Sequence, residues 1–400
     1  MPTGRRWKGL PVPFFFQAAS AEAFAEMEVR KDDVIMSSLT KGGTTWVHKV
    51  LHMLLHTEHD GGSNAALGTQ GQTYVESVVP RRGAAPDPEN PQGMNELREK
   101  MFGTWTLEED LLGQPGPRLF STHLYGSHLP AQLLSPSGQG RLVVVLRNLK
   151  DTMASLHFFR GEAKDGWLGN EHGPGSLARF IHPDCPNAYG SPFEFVRQND
   201  EAIRALQGTG RVLVVYYEDM VRSLDAQVGR MADFLGVSLT SERQGEIVRA
   251  ATFDAMRKAG GIAATTLRKG GVGDWRNYLG EAEWKRFDAA FDEKLAGVPL
   301  AEPLRYYQMV SVDGLPPPRA AQTLESDPRT WPSFVRKTLV DGRVVRDGLI
   351  AASNTTAGGF LRPPSEYCGV VEPPGTADAK HEAEAGRYHL FVSGVCPWAS

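Results

Sequence analysis

This chain contains little cysteine and no long apolar run. Three cysteines in 400 residues are too few and too scattered for a disulfide framework, so we expect a reducing compartment. No apolar run approaches the roughly 18 residues that a membrane span needs. Pro11 and Pro13 interrupt the short aromatic run near the N-terminus, where a signal peptide would need a longer apolar region. We therefore expect a cytoplasmic protein with no membrane partner.

The chain also lacks a strong excess of either charge. It has 43 Lys and Arg against 47 Asp and Glu, which gives a net charge of −4. This balance argues against a protein that holds nucleic acid by bulk charge, but it allows a local basic pocket for a small anion. With 41% apolar residues, the length allows two or three domains, or one large domain with a tail.

Three short apolar runs predict strands that are buried on both faces: Val34–Met36, Leu142–Leu146 and Val212–Tyr217. Helical patterns follow, as in Thr45–Leu55 and in Ser223–Leu235, which Gly236 ends. This alternation predicts an α/β fold with a parallel sheet flanked by helices. Ligands of such sheets bind at the carboxyl ends of the strands, so the residues after each run are the candidate site.

Irregular sequence separates and follows these elements. Stretches rich in Gly, Pro or polar residues occupy 57–72, 80–95 and 161–192, and we expect long loops there. Composition changes near residue 311, so we predict one domain over 1–310 and a linker with a largely irregular segment over 311–400. Within that segment, Tyr388–Val392 has the pattern of a short strand.

A glycine-rich turn, TKGGTTW (Thr40–Trp46), joins the first predicted strand to its helix. The N–H groups and dipole of a helix N-terminus favour a phosphate at such a place. Gly42 and Gly43 allow positive φ and close approach of the backbone, and Lys41 adds a positive charge. The Walker A pattern GxxxxGK[ST] is absent. The alternative is a simple capped turn, with Thr44 or Thr45 as the N-cap.

Polar and cationic residues follow the later strands. Arg147 ends the second run, and Ser155 lies two turns into the next helix. Arginine favours bidentate contact with phosphate, although a lone arginine at a strand end commonly forms a surface ion pair. Farther along, Arg268-Lys269-Gly270 forms a compact cationic group that, taken alone, is typical of a solvated loop.

Four segments, in order, resemble the signature segments of cytosolic sulfotransferases. They are TKGGTTW, RNLKDTMAS, YYEDM and RKGGVGDW, and the family patterns are YPKSGTTW, RNxKDxxxS, FYEDM and RKGxxGDWK. FSTHL (Phe120–Leu124) stands where the family has KTHLP. The resemblance covers about residues 8 to 307, and it implies a parallel sheet with a kinase-like phosphate-binding loop.

The resemblance implies 3′-phosphoadenosine 5′-phosphosulfate (PAPS) as co-substrate and no metal. The 5′-phosphosulfate would be held by Lys41, Gly42, Gly43, Thr44 and Thr45. Of these, Lys41 would stabilise charge on the bridging oxygen. The 3′-phosphate would be bound by Arg147, Ser155, Arg268, Lys269 and Gly270. The adenine would lie against Trp46, Tyr217 and Phe253.

His123 matches the catalytic histidine of the family. An imidazole has a pKa near neutrality, so it can take a proton from an acceptor hydroxyl. Three other histidines, His48, His52 and His56, are spaced four apart on the predicted helix. They could indicate a metal site, but we prefer a helix face because no carboxylate or cysteine stands at ligand spacing.

Several positions depart from the family pattern. Leu39-Thr40 replaces the Tyr-Pro before Lys41. Ser121 replaces the lysine two residues before the catalytic histidine, which removes one positive charge from the sulfate site. Three residues of the family's dimerisation motif are also replaced, by Gly280, Glu281 and Lys285. A homodimer formed through that motif is therefore not expected.

The C-terminal segment resembles a second family. Gly358–Val371 and Glu384–Ser400 are similar to the start of xi-class glutathione transferases, the glutathionyl-hydroquinone reductases. Cys396 matches the catalytic cysteine of that family, and Ala399 replaces a second cysteine. Only four residues follow Cys396, so we expect a truncated, fused or mis-joined fragment without redox function.

We therefore predict sulfuryl transfer from PAPS to a hydroxyl or amine of a small-molecule acceptor. Because of Ser121, a homologue that binds PAPS or its product 3′-phosphoadenosine 5′-phosphate (PAP) without turnover stays open. A phosphate-loop kinase and a glutathione-dependent redox protein are weaker alternatives. The acceptor pocket is expected in 72–105 and 161–192, whose aromatic residues line it or belong to the core: Tyr74, Phe102, Trp105, Trp167 and Tyr189.

Overall fold

The computed structural model describes most of the chain up to residue 308. It covers residues 5–56, 74–84, 98–99, 103–156, 180–182, 185, 187–259, 267–277 and 279–308, and the backbone of 157–162, 338–340 and 343–345. The chain divides into two compact units, Met1–Trp331 and Pro332–Ser400. The domain boundary expected near residue 311 lies outside the described residues.

Four parallel strands form the sheet of the first unit. An antiparallel pair, β1 (Arg6–Trp7) and β2 (Leu10–Pro11), precedes it. The sheet strands are β3 (Val34–Ser38), β4 (Leu119–Thr122), β5 (Arg141–Leu146) and β6 (Val212–Tyr216), and their spatial order is β4-β3-β5-β6. The prediction of a parallel α/β sheet is confirmed.

The two faces of the sheet pack into two apolar clusters. Ile35 and Val144 lie in one cluster, and Met36 and Val143 lie in the other. Successive side chains of a strand point to opposite faces, so an unbroken apolar run is what a strand covered on both faces requires. The three predicted strands are therefore confirmed, although Tyr217 belongs to the following helix rather than to β6.

The fourth strand, β4, was not predicted. Its sequence, LFST, is half polar and too short to show a period. It forms because β3 offers an unpaired edge, against which Val34 aligns with Leu119 and Ser37 with Thr122. Tertiary pairing thus decides the conformation of this segment, as it often does for short strands.

Helices flank the sheet and connect its strands. They are α1 (Ala18–Ala25), α2 (Thr44–Leu55), α3 (Ala131–Leu134), α4 (Leu149–Glu162), α5 (Pro192–Ala205), α6 (Tyr217–Arg222), α7 (Leu224–Leu235), α8 (Ser241–Ala250), α9 (Phe253–Lys258), α10 (Glu281–Lys294) and α11 (Ala301–Tyr307). Shorter turns are the 3₁₀ segments Val75–Ser77, Gly126–His128 and Asp274–Asn277 and the π-helical turn Leu107–Leu112. The two predicted helices correspond to α2 and α7, and Gly236 ends α7 with a left-handed φ of 72°.

The strand order creates a crevice between β3 and β5. After β3 the chain goes to β4 on one side, and it then returns past β3 to form β5 on the other side. Where the direction of winding reverses, the connections leave the strand ends in opposite directions and a crevice opens at the carboxyl edge. The glycine-rich turn after β3 and Arg147 after β5 border this crevice.

Several expectations fall on segments outside the described residues. These are the loop 57–72, most of 80–95 and 161–192, the strand at 388–392, and Cys396 with its surroundings. In the second unit, an antiparallel pair of strands joins β7 (Thr338–Val340) to β8 (Arg343–Val345). In the described part of the chain, every helix is too short or too polar to cross a bilayer.

A buried ion pair fixes the start of the sheet. The guanidinium of Arg118 donates from Nε and Nη2 to the two carboxylate oxygens of Asp33, at 2.7 and 2.6 Å. Asp33 precedes β3 and Arg118 precedes β4, and their side chains are 0% and 3% exposed. The pair therefore holds the amino ends of two neighbouring strands together.

We expect Asp33→Ala to lower the free energy of unfolding by about 3–5 kcal/mol, because it leaves a buried guanidinium without its carboxylate. Chemical denaturation measures this change. Arg82→Ala is the control, because the side chain of Arg82, which pairs with Asp110, is 73% exposed, and its loss should cost under about 1 kcal/mol. Equal effects of the two changes would contradict a structural role for the buried pair.

Candidate active site

The turn after β3 has the geometry of an anion-binding loop. Lys41 and Gly43 have positive φ, at 64° and 107°, and the N–H of Gly42 donates to the carbonyl of Leu39 at 2.7 Å. Helix α2 begins at Thr44, and Gly43 is its N-cap. Neither Thr44 nor Thr45 caps the helix, so the capped-turn alternative was wrong about the cap. The N-terminal N–H groups of α2 have no side-chain cap.

Gly43 is required by a close approach as well as by its φ. A Cβ at this position would lie 2.8 Å from the ring of Tyr217, which is closer than two carbon atoms can pack. Tyr217 comes from the start of α6, after β6. The loop can therefore lie against this ring only if residue 43 has no side chain.

Thr44 faces the sheet rather than solvent. Its Oγ1 lies 2.6 Å from Oγ of Ser38, the last residue of β3, and it is 5% exposed. This contact ties the first turn of α2 to the end of β3. Thr45 and Trp46 are half-buried at the same helix start.

Arg147 is buried in the crevice between β3 and β5. Its guanidinium donates to the carbonyls of Lys41 at 3.2 Å and of Gly271 at 3.1 Å, and it lies 4.2 Å from the ring centroid of Tyr217. With 8% exposure, it is not the surface ion pair that its position alone allowed. Its Nε is buried and lacks a hydrogen-bond partner among the described atoms.

The second cationic segment is brought to Arg147 by a carboxylate. Asp151, on α4, accepts hydrogen bonds from the N–H groups of Gly273 at 2.6 Å and Trp275 at 3.0 Å. Asp151 itself is 1% exposed. This anchor holds the loop 267–277 against the end of β5, and the sequence analysis did not single it out.

Arg268 and Lys269 both pair with Asp274 inside this loop. Lys269 Nζ lies 2.9 Å from Oδ1 of Asp274, and Arg268 forms a second ion pair with the same carboxylate. Burial raises the pKa of Asp274, but hydrogen bonds from Lys269, Arg268 and Asn277 outweigh it and lower that pKa to about 2. The loop thus presents two cations that one ionised carboxylate holds close together.

The residues expected near an adenine each contact a neighbouring part of the site. Trp46 and Tyr217 meet edge to face, with ring centroids 5.3 Å apart, and Trp46 Nε1 donates to the carbonyl of Ala251 at 2.7 Å. Phe253 starts α9 and lies beside Gly270, where a Cβ would be 2.4 Å from its ring. Ser155 is buried on α4. Gly270 therefore makes room for the ring of Phe253, as Gly43 does for the ring of Tyr217.

His123 stands at the carboxyl end of β4 with a fixed ring orientation. Its Nδ1 lies 2.7 Å from the carbonyl oxygen of Ser38, and because a carbonyl only accepts, Nδ1 carries the proton. Burial, opposed by this hydrogen bond and assisted by the charge of Lys41, lowers the pKa of His123 to about 4. At neutral pH the ring is therefore uncharged, and Nε2 holds the basic lone pair.

Two tyrosines and a glutamate surround this histidine. The rings of Tyr74 and Tyr189 lie 4.4 and 5.0 Å from the ring of His123, centroid to centroid. Glu76 accepts hydrogen bonds from the N–H of His123 at 2.9 Å and from Oγ1 of Thr122 at 2.7 Å. Sequence reasoning missed Glu76, and the available signal was a carboxylate among the valines of the segment VESVV, Val75–Val79.

Ser121, the position of the absent lysine, contacts a histidine of α2. Its Oγ lies 2.7 Å from Nδ1 of His48. Burial, and then the charges of His52, His56 and Lys49, lower the pKa of His48 to about 3, so this contact adds no positive charge at neutral pH. The three histidines form a helix face, with neighbouring ring centroids 6.0 and 4.6 Å apart. Within the described ranges, no group of three or more His, Cys, Asp or Glu could hold a metal ion.

The aromatic residues expected around the acceptor divide between site and surroundings. Tyr74 and Tyr189 lie beside His123, whereas Trp105 borders a separate open cavity of about 630 Å³ together with Arg98. Phe102 and Trp167 lie outside the described residues. The glycine-rich loop after β3, a buried arginine and an uncharged histidine thus meet at one edge of a parallel α/β sheet, an arrangement that could accommodate an anion next to a candidate base.

Comparisons with known proteins give the family. The model of the sulfotransferase domain matches residues 31–299. Sulfotransferase 6B1 of Pan troglodytes is 29% identical over 320 residues, which are 75% of this chain and 88% of that protein. Sulfotransferase 1A1 of Mus musculus is 28% identical over 305 residues, covering 72% and 93%. The chain belongs to the sulfotransferase family.

Solved structures share the fold. The crystal structure of mouse sulfotransferase SULT7A1 complexed with PAP matches with a TM-score of 0.56 and 21% identity, over 76% of this chain and 99% of that chain. Retinol dehydratase in complex with androsterone and inactive cofactor PAP matches with a TM-score of 0.53 and 22% identity, over 72% and 86%. These likenesses confirm the predicted sulfotransferase fold.

Glu218 links the ends of β5 and β6 at the back of the site. Its Oε1 accepts from the N–H of Asn148 at 2.8 Å, and the side chain is fully buried. Burial raises the pKa of Glu218 to about 8, against an ordinary value of 4.5. In the folded protein this carboxyl is therefore protonated at pH values where the unfolded chain ionises it.

We expect Glu218 to make the protein less stable as pH rises from about 4.5 to 8, since the folded state binds the proton more tightly there. Each unit of pKa difference is worth about 1.4 kcal/mol. Glu218→Gln should flatten this dependence, because an amide does not titrate. Denaturant titrations at several pH values measure it, and parallel profiles for the two proteins would contradict the raised pKa.

Proposed function

We propose that this protein transfers the sulfuryl group of PAPS to a hydroxyl or amine of a small-molecule acceptor. The observation that carries the proposal is the position of the uncharged His123 next to the loop of Lys41 and Gly43. Ser38 joins the two, because its carbonyl accepts from Nδ1 of His123 and its hydroxyl contacts Thr44. A base and an anion loop thus share one residue of β3.

The donor side of the site fits a doubly phosphorylated nucleotide. The N-terminal groups of α2 and Lys41 suit the phosphosulfate, with Gly42, Gly43, Thr44 and Thr45 around it. Arg147, with a buried Nε still to be satisfied, together with Ser155, Arg268, Lys269 and Gly270 suits the 3′-phosphate. The rings of Trp46, Tyr217 and Phe253 suit the adenine. PAP in two of the similar solved structures supports this proposal.

The acceptor side supplies the proton transfer. As the acceptor oxygen forms its bond to sulfur, the bond from sulfur to the bridging phosphate oxygen breaks and PAP leaves with that electron pair. The acceptor proton goes to Nε2 of His123, whose lone pair is available because Nδ1–H is held on Ser38. Lys41 stabilises the charge that develops on the bridging oxygen.

A second candidate is a protein that binds PAPS or PAP without turnover. Ser121 favours this candidate. It stands where the family pattern has a lysine, and its neighbour His48 is uncharged, so the missing positive charge at the sulfate end of the site is not replaced by His48. In the proposed reaction, Lys41 and the N–H groups of α2 carry the charge stabilisation without that lysine. Turnover itself separates the two candidates.

The direct test is to incubate the protein with PAPS and a panel of phenols, alcohols and amines, and to follow release of PAP. We expect release that depends on the acceptor and needs no added metal. Binding of PAPS with no release for any acceptor would favour the non-catalytic candidate. A folded protein that binds neither PAPS nor PAP would overturn the proposal.

We expect His123→Ala to lower kcat by about 10²–10⁴-fold, the range typical of a lost general base, with the Kd for PAP nearly unchanged. Calorimetry with PAP and the release assay measure the two quantities. His128→Ala, which removes a histidine that packs on Trp7 outside the site, is the control and should keep its rate. Full activity of His123→Ala would rule out His123 as the base.

A further inference from the structure

Glu76 is a fully buried carboxylate that the proposed reaction does not use. It lies in the 3₁₀ turn Val75–Ser77, with 0% exposure. Its two side-chain oxygens accept from two different neighbours, the N–H of His123 at 2.9 Å and the hydroxyl of Thr122 at 2.7 Å. Neutral groups are thus the donors to this carboxylate, and both belong to the end of β4.

Burying a carboxylate at this position lowers the stability of the fold, so stability does not explain why Glu76 is there. Burial raises the pKa of Glu76. Hydrogen bonds from His123, Thr122 and its own backbone, together with the nearby hydroxyl of Tyr189, lower this pKa, but they do not outweigh burial. An apolar residue at such a site would avoid this desolvation cost. The hydrogen bond of Glu76 to the N–H of His123 points to a functional reason for a carboxylate at this position.

The contacts of Glu76 reach His123 from the backbone side. The carboxylate holds the N–H of His123, while the carbonyl of Ser38 holds Nδ1 on the other side. Oγ1 of Thr122 donates to Glu76 and accepts from the N–H of Leu124 at 3.0 Å. These hydrogen bonds therefore hold the backbone of Thr122, His123 and Leu124 in one conformation.

The aromatic neighbours fix the plane of the same ring. Tyr74 stacks on His123 at an interplanar angle of 29°, and Tyr189 covers it at 56°. Tyr189 is held in place with a positive φ of 64°, which is uncommon for a tyrosine, and its N–H donates to the carbonyl of Pro11 at 2.7 Å. The hydrogen bonds of His123 to Glu76 and Ser38, together with its ring contacts to Tyr74 and Tyr189, therefore fix the direction in which Nε2 points.

We propose that Glu76 is a positioning residue for His123. By holding the backbone at the end of β4, it keeps Nδ1–H of His123 on the carbonyl of Ser38 and so presents Nε2 to the acceptor hydroxyl. This inference rests on the proposed sulfuryl transfer. The hydrogen bond from the N–H of His123 to Oε1 of Glu76 supports it, because this bond holds the backbone from which the imidazole extends.

Two conservative variants separate geometry from charge. Glu76→Gln keeps the length, so its amide oxygen accepts from the N–H of His123 and its NH₂ donates to Thr122, whose hydroxyl can also accept. Glu76→Asp keeps the charge but is one methylene shorter, so it cannot reach both donors. Positioning predicts that Glu76→Asp loses about 100-fold in kcat and that Glu76→Gln stays within about fivefold of the wild type. The Kd for PAP should hardly change in either.

The control is Asp200→Asn, which removes the charge of another buried carboxylate that holds a backbone N–H, that of Leu300 at 2.9 Å, and that also pairs with Arg204 at 2.7 Å. It should keep its kcat. Histidine-selective ¹⁵N NMR adds a readout independent of turnover, since the shifts of the two ring nitrogens report the tautomer of His123. We expect the Nδ1–H tautomer in the wild type and in Glu76→Gln, and a mixture in Glu76→Asp.

Either of two results would overturn the inference. One is a loss of kcat in Glu76→Gln as large as in Glu76→Asp, which would assign the effect to charge. The other is an unchanged tautomer and unchanged kcat in Glu76→Asp. If the wild type itself releases no PAP with any acceptor, the proposed function fails, while the NMR comparison still decides whether Glu76 orients His123.

Discussion

The parallel pairing of β3 with both β4 and β5 is the constraint on which the site depends. Because parallel strands end at the same edge, this pairing brings the anion loop after β3 between His123 and Arg147. None of these groups is near another in sequence. A slip of one residue in either register would turn the strand's side chains to the opposite face and separate His123 or Arg147 from the loop.

The polar groups at this edge are buried in a way that sets their charges. Backbone carbonyls orient both groups. The carbonyl of Ser38 accepts a hydrogen bond from the imidazole of His123, and the carbonyls of Lys41 and Gly271 accept from the guanidinium of Arg147. The same burial that keeps the imidazole neutral strengthens the attraction of the arginine for an anion. One buried setting thus holds an uncharged imidazole and a charged guanidinium on either side of the loop after β3.

Much of this could be read from the sequence, for identifiable reasons. The runs at Val34, Leu142 and Val212 predicted their strands because strands buried on both faces must be continuously apolar. The glycine-rich turn predicted its loop because positive φ favours glycine, which holds at Gly43, whereas the second positive φ of the turn is at Lys41 rather than at Gly42. By contrast, β4 and the roles of Glu76 and Asp151 depend on partners distant in the chain, and no local pattern carries that information.

The sequence by itself determined the α/β class, the location of the glycine-rich turn after β3 and the family, because these follow from local periodicity and from short motifs at fixed spacing. Only the tertiary structure decided that Gly43 caps α2, that Ser121 meets an uncharged His48, and that His123 is neutral with its proton on Nδ1. Protonation and hydrogen-bond partners depend on burial and on which strands become neighbours, and both arise only when the chain has folded.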